Sequence, residues 1–167
     1  MRAGLSRRKA LEMTPAEFIA AIGPAAAESA KVTGIPASFT IAQAALESSW
    51  GASLLSREAC NLFGVKGDSS WHGPTMELAT REYLAGKWVT VPAKWRKYAN
   101  WLEAIADHAK FLLGNPRYKL AFTGQRAGED FARMVQACGY ATDPRYADKV
   151  GSIIHQHQLD RFDGARP

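Results

Sequence analysis

The sequence predicts an α+β protein, a helical body carrying one small β-hairpin lobe. Three observations carry that expectation. Two capping boxes, Thr14-Pro15-Ala16-Glu17 and Asn100-Trp101-Leu102-Glu103, open stretches whose apolar residues recur at helical spacing. A single stretch, Met76 to Tyr98, changes to a period of two. The segment from Thr40 through Ala44, Ala45 and Leu46 to Gly51 is rich in Ala and Leu and runs to a glycine, as a helix and its stop should.

Taken in order, residues 1–13 form a basic lead that includes Arg7-Arg8-Lys9. The first helix starts after Thr14, carries Phe18, Ile19 and Ile22, and runs to about Thr33, with Gly34 as its stop. Gly23-Pro24 falls inside it and predicts a kink or a short break, since proline removes a backbone hydrogen bond. Pro36 starts the second helix, and Ser53 to Glu58 can form a short third one. Asn61 to Gly67 is a compact turn, and Asp68 to Pro74 a polar loop carrying Trp71. In the period-two stretch, Met76, Leu78, Thr80, Glu82 and Leu84 share one face. Glu77, Ala79, Arg81 and Tyr83 take the other. Ala85-Gly86-Lys87 turns the chain, and Pro92 on the return strand implies an edge or a bulge. The next helix is assigned the stripe Leu102, Ile105, Ala106, Ala109, Leu112 and Leu113. A helical turn follows at Tyr118 to Phe122, then a helix over Glu129 to Cys138. The last helix, with Asp143-Pro144 as its cap, carries Tyr146, Val150, Ile153, Ile154 and His157. One domain over 14–160 is expected, followed by a tail at 161–167.

Composition narrows the classes. At 47% hydrophobic and 22% charged residues the chain is ordinary globular protein. No apolar run approaches the roughly 18 residues of a membrane span, and no apolar region follows the basic start. Neither a secretory signal nor stable membrane insertion is expected. Cys60 and Cys138 match no metal spacing and are read as buried, reduced thiols. His155 and His157, two residues apart, cannot share a helix face. No metal and no cofactor are therefore expected. A net charge of +5 implies an anionic partner, and nucleic acid, anionic lipid and bacterial wall all qualify. The cations are scattered, so charge alone assigns no nucleic acid.

Glu47 is the candidate general acid. It sits in the last turn of its helix among small and apolar residues. The macrodipole and a low-dielectric setting both raise a carboxyl pKa there. Spacing alone leaves open a solvated Glu on a helix end. Glu82, on a mostly apolar strand face, is either a cleft-rim carboxylate or a surface partner of Arg81 or Lys87. Glu77 is its rival, of opposite parity. Trp50, Trp95 and Trp101 are read as packing residues.

Several strings occur in one order. Ala42-Gln43-Ala44-Ala45-Leu46-Glu47-Ser48-Ser49-Trp50-Gly51 precedes Asn61-Leu62-Phe63-Gly64-Val65-Lys66-Gly67. Thr80-Arg81-Glu82-Tyr83 and Tyr98-Ala99-Asn100-Trp101-Leu102-Glu103-Ala104 follow. Asn115-Pro116-Arg117-Tyr118 and Gly139-Tyr140-Ala141-Thr142-Asp143-Pro144-Arg145-Tyr146-Ala147 complete the series. From about Thr14 to Leu159 the chain resembles the peptidoglycan endo-β-N-acetylglucosaminidases of glycoside hydrolase family 73, including the wall-cutting domains of flagellar rod-cap type. The resemblance implies a lysozyme-like fold and cleavage of the β-1,4 bond between GlcNAc and MurNAc in peptidoglycan. It implies Glu47 as proton donor, Glu82 as the second acidic residue, and Tyr140 as a catalytic-site tyrosine. A phenol suits hydrogen-bond donation better than base chemistry; a core tyrosine is the alternative. Asn61, Phe63, Trp71, Tyr118 and Tyr146 are expected to line a saccharide groove. Lytic transglycosylases and muramidases share the fold, and a basic, non-catalytic wall-binding module would have the same composition. A monomer is expected. The absence of a signal, an anchor and a rod-binding segment predicts a phage endolysin. Such an enzyme is made in the host cytoplasm and acts on the periplasmic wall after release.

Overall fold

The computed structural model describes residues 13–124 and 126–164. The expected basic lead, apart from Met13, lies outside the described residues. Helix α1, Pro15–Thr33, opens on the expected capping box. The Thr14 hydroxyl accepts from the Glu17 amide at 3.2 Å, and the Glu17 carboxylate accepts from the Thr14 amide at 2.7 Å. The helix continues through Pro24 without a break. Buried Ile22, Gly23 and Ala26 hold it to the body on both sides of the proline. At Gly23 the Phe162 ring approaches so closely that a Cβ would lie 2.4 Å from it.

Helix α2, Ala37–Ser48, is the centre of the body. Every residue from Ala37 to Ala45 is buried. Helix α1 packs on it, together with two later helices and the final turn described below. It ends through three successive left-handed residues, Ser49, Trp50 and Gly51, at φ 51°, 58° and 80°. A side chain at Gly51 would also press on Trp101 and Phe18, at 3.0 and 3.2 Å. Trp50 packs edge-on against Phe18 at 5.8 Å, as a structural residue. Pro36 gives α2 no side-chain cap. The cap comes from Asp163, whose carboxylate accepts from the Ser38 amide at 2.8 Å and the Ser38 hydroxyl at 2.7 Å. A carboxylate at a helix N-terminus also suits the macrodipole. The folded body therefore extends beyond the expected boundary at residue 160.

The short helix α3, Leu54–Ala59, leads into the lobe. Its strands are β1 Thr75–Glu77, β2 Thr80–Leu84, β3 Lys87–Val91 and β4 Lys94–Arg96. The expected hairpin is present, paired as two antiparallel ladders, β2 with β3 and β1 with β4. Pro92 sits at the interruption, where it owes no ladder hydrogen bond. The Leu78 amide donates to the Ala93 carbonyl at 3.0 Å, and the Trp95 indole donates to the Leu78 carbonyl at 2.8 Å. The turn at Ala85-Gly86 is left-handed at both positions, φ 48° and 80°. The expected alternation holds from Met76 to Glu82: Met76, Leu78, Thr80 and Glu82 are half-buried, while Glu77, Ala79 and Arg81 are exposed; Leu84, expected on the inner face, is 49% exposed beside the turn.

Helix α4, Trp101–Gly114, is rotated from its expected stripe. It buries Ala104, Ile105, His108, Ala109 and Leu112, while Leu102 and Leu113 are 60% and 50% exposed. A 3-10 turn, Pro116–Phe122, leads to α5, Gly128–Ala137, and α6, Tyr146–Gln156. A last 3-10 turn spans Leu159–Phe162. Asp143 does not cap α6; its carboxylate instead accepts from the Arg145 amide and pairs with Lys149. Cys60 and Cys138 are free thiols, each only half-buried.

Candidate active site

Helix α2 is enclosed until its last turn, where Glu47 emerges into a cleft of about 370 Å³. The opposite walls come from several segments. The turn after α3 gives Phe63 to Lys66, the loop beyond it Asp68, and β4 Arg96. Helix α4 gives His108 and Phe111, and Tyr118 and Tyr140 close the far side. The Glu47 carboxyl is reachable from the cleft, yet the surrounding protein displaces enough water to raise its pKa, the sole resolved cause being desolvation. Among the described residues no cation pairs with it and no donor hydrogen-bonds it. A proton is therefore easier to keep here than on an ordinary glutamate.

Tyr140 faces the same space. Its ring packs at 5.9 Å from Tyr118 and 5.5 Å from Tyr146, and its hydroxyl lies 3.5 Å from His108 Nε2. Burial, then the negative charge of Glu47, pushes its pKa up, so the phenol stays protonated. Phe63 and Tyr118 reach the cleft, though they are only 5% and 2% exposed.

Three expected groove residues lie elsewhere. Asn61 is buried, and its amide is committed to backbone. Its Nδ2 donates to the carbonyls of Val65 and Arg96, both at 2.9 Å, and its Oδ1 accepts from the Val65 amide at 3.1 Å. It ties the cleft floor to the lobe and has no free group to offer a sugar. Trp71 lines a separate hollow on the far side of Arg96, whose guanidinium lies 4.8 Å over its ring. Tyr146 is buried behind Tyr140. Glu82 does not line the Glu47 cleft itself. It pairs with neither Arg81 nor Lys87 but with Lys66, at 2.6 Å, and Lys66 does line the cleft. Arg81 instead lies 5.3 Å over the Trp88 ring.

His108 and Arg96 are cleft residues that sequence reasoning did not single out. For His108 the signal was available: it lies three residues after Ile105 and four before Leu112, on the buried face of α4. Its ring stacks on Phe63 at 4.0 Å, nearly parallel. Burial pushes its pKa down to about 3, with Asp107 offsetting only part of the effect. In the unfolded chain the imidazole titrates near its ordinary value of about 6.5. Between those values the unfolded state binds a proton that the folded state refuses, so stability falls as pH drops through that window. Thermal melts from pH 7 to pH 4 should show a flatter acid limb for His108→Phe than for the wild type. An identical limb would mean that His108 is not held neutral.

Arg96 joins the lobe to the body. It donates to Asp107 at 2.9 Å and to the Lys66 carbonyl at 3.1 Å, and lies 3.6 Å from Asp68. Among the described residues no three His, Cys, Asp or Glu side chains converge as a metal site. No helix among them is long and apolar enough to cross a membrane. A larger, apolar groove of about 680 Å³ lies between α1 and α4. Its charged residues are Glu28, tied to Lys31, and Lys110, so it offers no free carboxyl for acid catalysis.

Comparison with known proteins bears on this cleft. A family model described as mannosyl-glycoprotein endo-beta-N-acetylglucosaminidase matches residues 23–159. The peptidoglycan hydrolase FlgJ of Salmonella typhimurium is 40% identical over 164 residues, covering 89% of this chain and 52% of that protein. The exo-glucosaminidase LytG of Bacillus subtilis is 44% identical over 135 residues, covering 78% and 47%. The catalytic domain of the autolysin Auto from Listeria monocytogenes aligns with a TM-score of 0.81 at 33% identity, over 94% of this chain and 93% of that one. The chain spans about half the length of the curated relatives it matches.

Proposed function

Because the chain belongs to the glucosaminidase family, whose relatives here are peptidoglycan hydrolases, we propose that it cleaves the β-1,4 bond between GlcNAc and MurNAc in bacterial glycan strands. The observation that carries this reading is the Glu47 carboxyl, desolvated at the edge of an aromatic-lined cleft and, among the described residues, paired with no cation. In the proposed reaction neutral Glu47 gives its proton to the bridging oxygen as the C–O bond breaks. Water attacks the anomeric carbon from the opposite face and passes its proton to Glu82; in a substrate-assisted course the acetamido oxygen attacks that carbon first, and water then opens the cyclic intermediate from the side the leaving group vacated, passing its proton to the Glu47 carboxylate. The Tyr140 hydroxyl donates a hydrogen bond to that water or to the acetamido group. The flat rings of Phe63 and Tyr118 pack on apolar sugar faces.

Product analysis on purified sacculi, with Glu47→Gln as control, tests the reading. Reducing GlcNAc ends are expected. Anhydro-MurNAc ends would mark a lytic transglycosylase, and reducing MurNAc ends a muramidase. Sacculus turbidity that stays level would mark a wall-binding module.

For the second acidic group, the half-buried face of Glu82 and its link to the cleft through Lys66 favour it over exposed Glu77. Glu82→Gln should therefore slow turnover more than Glu77→Gln. Equal losses in a turbidity assay would remove Glu82 from this role.

The proposal extends to a phage-type endolysin that is made in the cytoplasm and acts on the periplasmic wall. A net charge of +5 favours approach to an anionic envelope. Cells expressing the protein without a holin should grow normally, and permeabilising the inner membrane should bring lysis within minutes. Lysis on expression alone would count against this role.

A further inference from the structure

One turn before Glu47 on α2 lies Gln43, fully buried, with neither its amide nitrogen nor its amide oxygen in a hydrogen bond. The spacing of four residues places it directly beneath Glu47 on the same face of the helix. A buried amide without partners is costly, and Met or Leu of similar volume would fill the position more favourably. The Tyr146 hydroxyl, on the ring that packs against Tyr140, is likewise buried and unpartnered. The Tyr140 hydroxyl lies near enough to the Gln43 amide to feel it, though outside ordinary hydrogen-bond geometry. His108 Nε2, at 3.5 Å, is the other group against that hydroxyl.

We propose that Gln43 is a positioning residue: with substrate bound, its Nε2–H donates to the Tyr140 oxygen and turns the phenolic proton into the cleft beside Glu47. The inference rests on the glycosidase reading of that cleft. It explains why an amide occupies the most enclosed stretch of α2. With one lone pair of the oxygen held by Gln43, the Tyr140 proton has a defined direction. Without that hold the hydroxyl turns freely, and the group it should orient is misplaced.

The test is a double-mutant cycle between Gln43 and Tyr140, read as kcat and KM on solubilised glycan strands, with thermal melts on the same samples. Gln43→Met should lower kcat by about tenfold at unchanged KM, less than the ~10²-fold that a fully misplaced reacting group can cost. Its Tm should match or exceed that of the wild type, because an unsatisfied amide is replaced by a side chain that packs. In a Tyr140→Phe background, Gln43→Met should cost less than a further twofold. Full kcat in a folded Gln43→Met protein would overturn the proposal. So would losses that multiply in the Tyr140→Phe background, which would mean that Gln43 acts on the fold or by another route. If Glu47→Gln also retains full activity, the glycosidase reading of the cleft fails with it. If Glu47→Gln is inactive while Gln43→Met is not, only the role of Gln43 falls.

Discussion

Glu47→Gln is expected to lower turnover on sacculi by at least ~10²-fold, the lower range for loss of a general acid, and to leave the protein more heat-stable at neutral pH. The amide matches the carboxyl in shape but has no acidic proton to give. The stability gain follows from the direction of the pKa shift. Desolvation raises the Glu47 pKa in the folded state. Below its unfolded value the carboxyl is neutral in both states and costs nothing. As pH rises through the folded value, the folded chain must carry a charge that it disfavours, and stability is lost. Gln carries no charge at any pH. The Tm advantage of the variant should thus be present at pH 7 and fade toward pH 4. Wild-type activity should decline as pH rises through the folded pKa, because the proton to be donated is then gone. A folded Gln variant with near-normal turnover would remove Glu47 from the chemistry. A Tm difference independent of pH would show that the carboxyl is not desolvated.

The second large effect is on the fold. Asp107→Ala should reduce stability by about 3 kcal/mol, the low end for breaking a buried ion pair. The Asp107 side chain is 18% exposed and that of Arg96 11%. Among the described residues, removing the carboxylate leaves the guanidinium with Asp68, at 3.6 Å, as its charge partner. It also orphans the Tyr98 hydroxyl, which donates to Asp107 at 2.7 Å. Asp107→Asn should fall between Ala and wild type, since it keeps hydrogen bonding and loses charge. Activity should drop in whatever protein remains folded, because Arg96 holds the carbonyl of Lys66, and Lys66 in turn pairs with Glu82. Urea titration decides the first point; a loss below ~1 kcal/mol would put the pair in the weak class of surface bridges.

Those two residues also mark how far the sequence could be read. Thr14 with Glu17, the alternating strand from Met76 to Glu82, and the Gly34 stop were legible because each depends on neighbours a few residues away. So was the placement of Glu47 in a last turn. The stripe on α4 was misjudged because Leu102 and Leu113 are as apolar as Leu112, while His108 reads as polar; only its stacking on Phe63 explains its burial. Asn61 shows the same limit at a single side chain. An amide can bond a sugar or a backbone equally well, and the carbonyl it meets belongs to Arg96, 35 residues away. The partner of Glu82 was likewise hidden, since Lys66 is 16 residues distant and is brought close by a β-bridge to Trp95. Pro24 was read by its local effect, and packing around Gly23 overrides it.

The cap of α2 has a bearing on when, during synthesis, the helix that carries Glu47 becomes secured. The helix carrying Glu47 leaves the ribosome early, but the carboxylate that secures its first turn lies 125 residues later, in Asp163. Domains fold as units during synthesis, and this unit is not closed until Leu159, Phe162 and Asp163 have been translated and docked on α1 and α2. Until that point a nascent chain holds Glu47 on a helix whose first turn lacks its Asp163 cap.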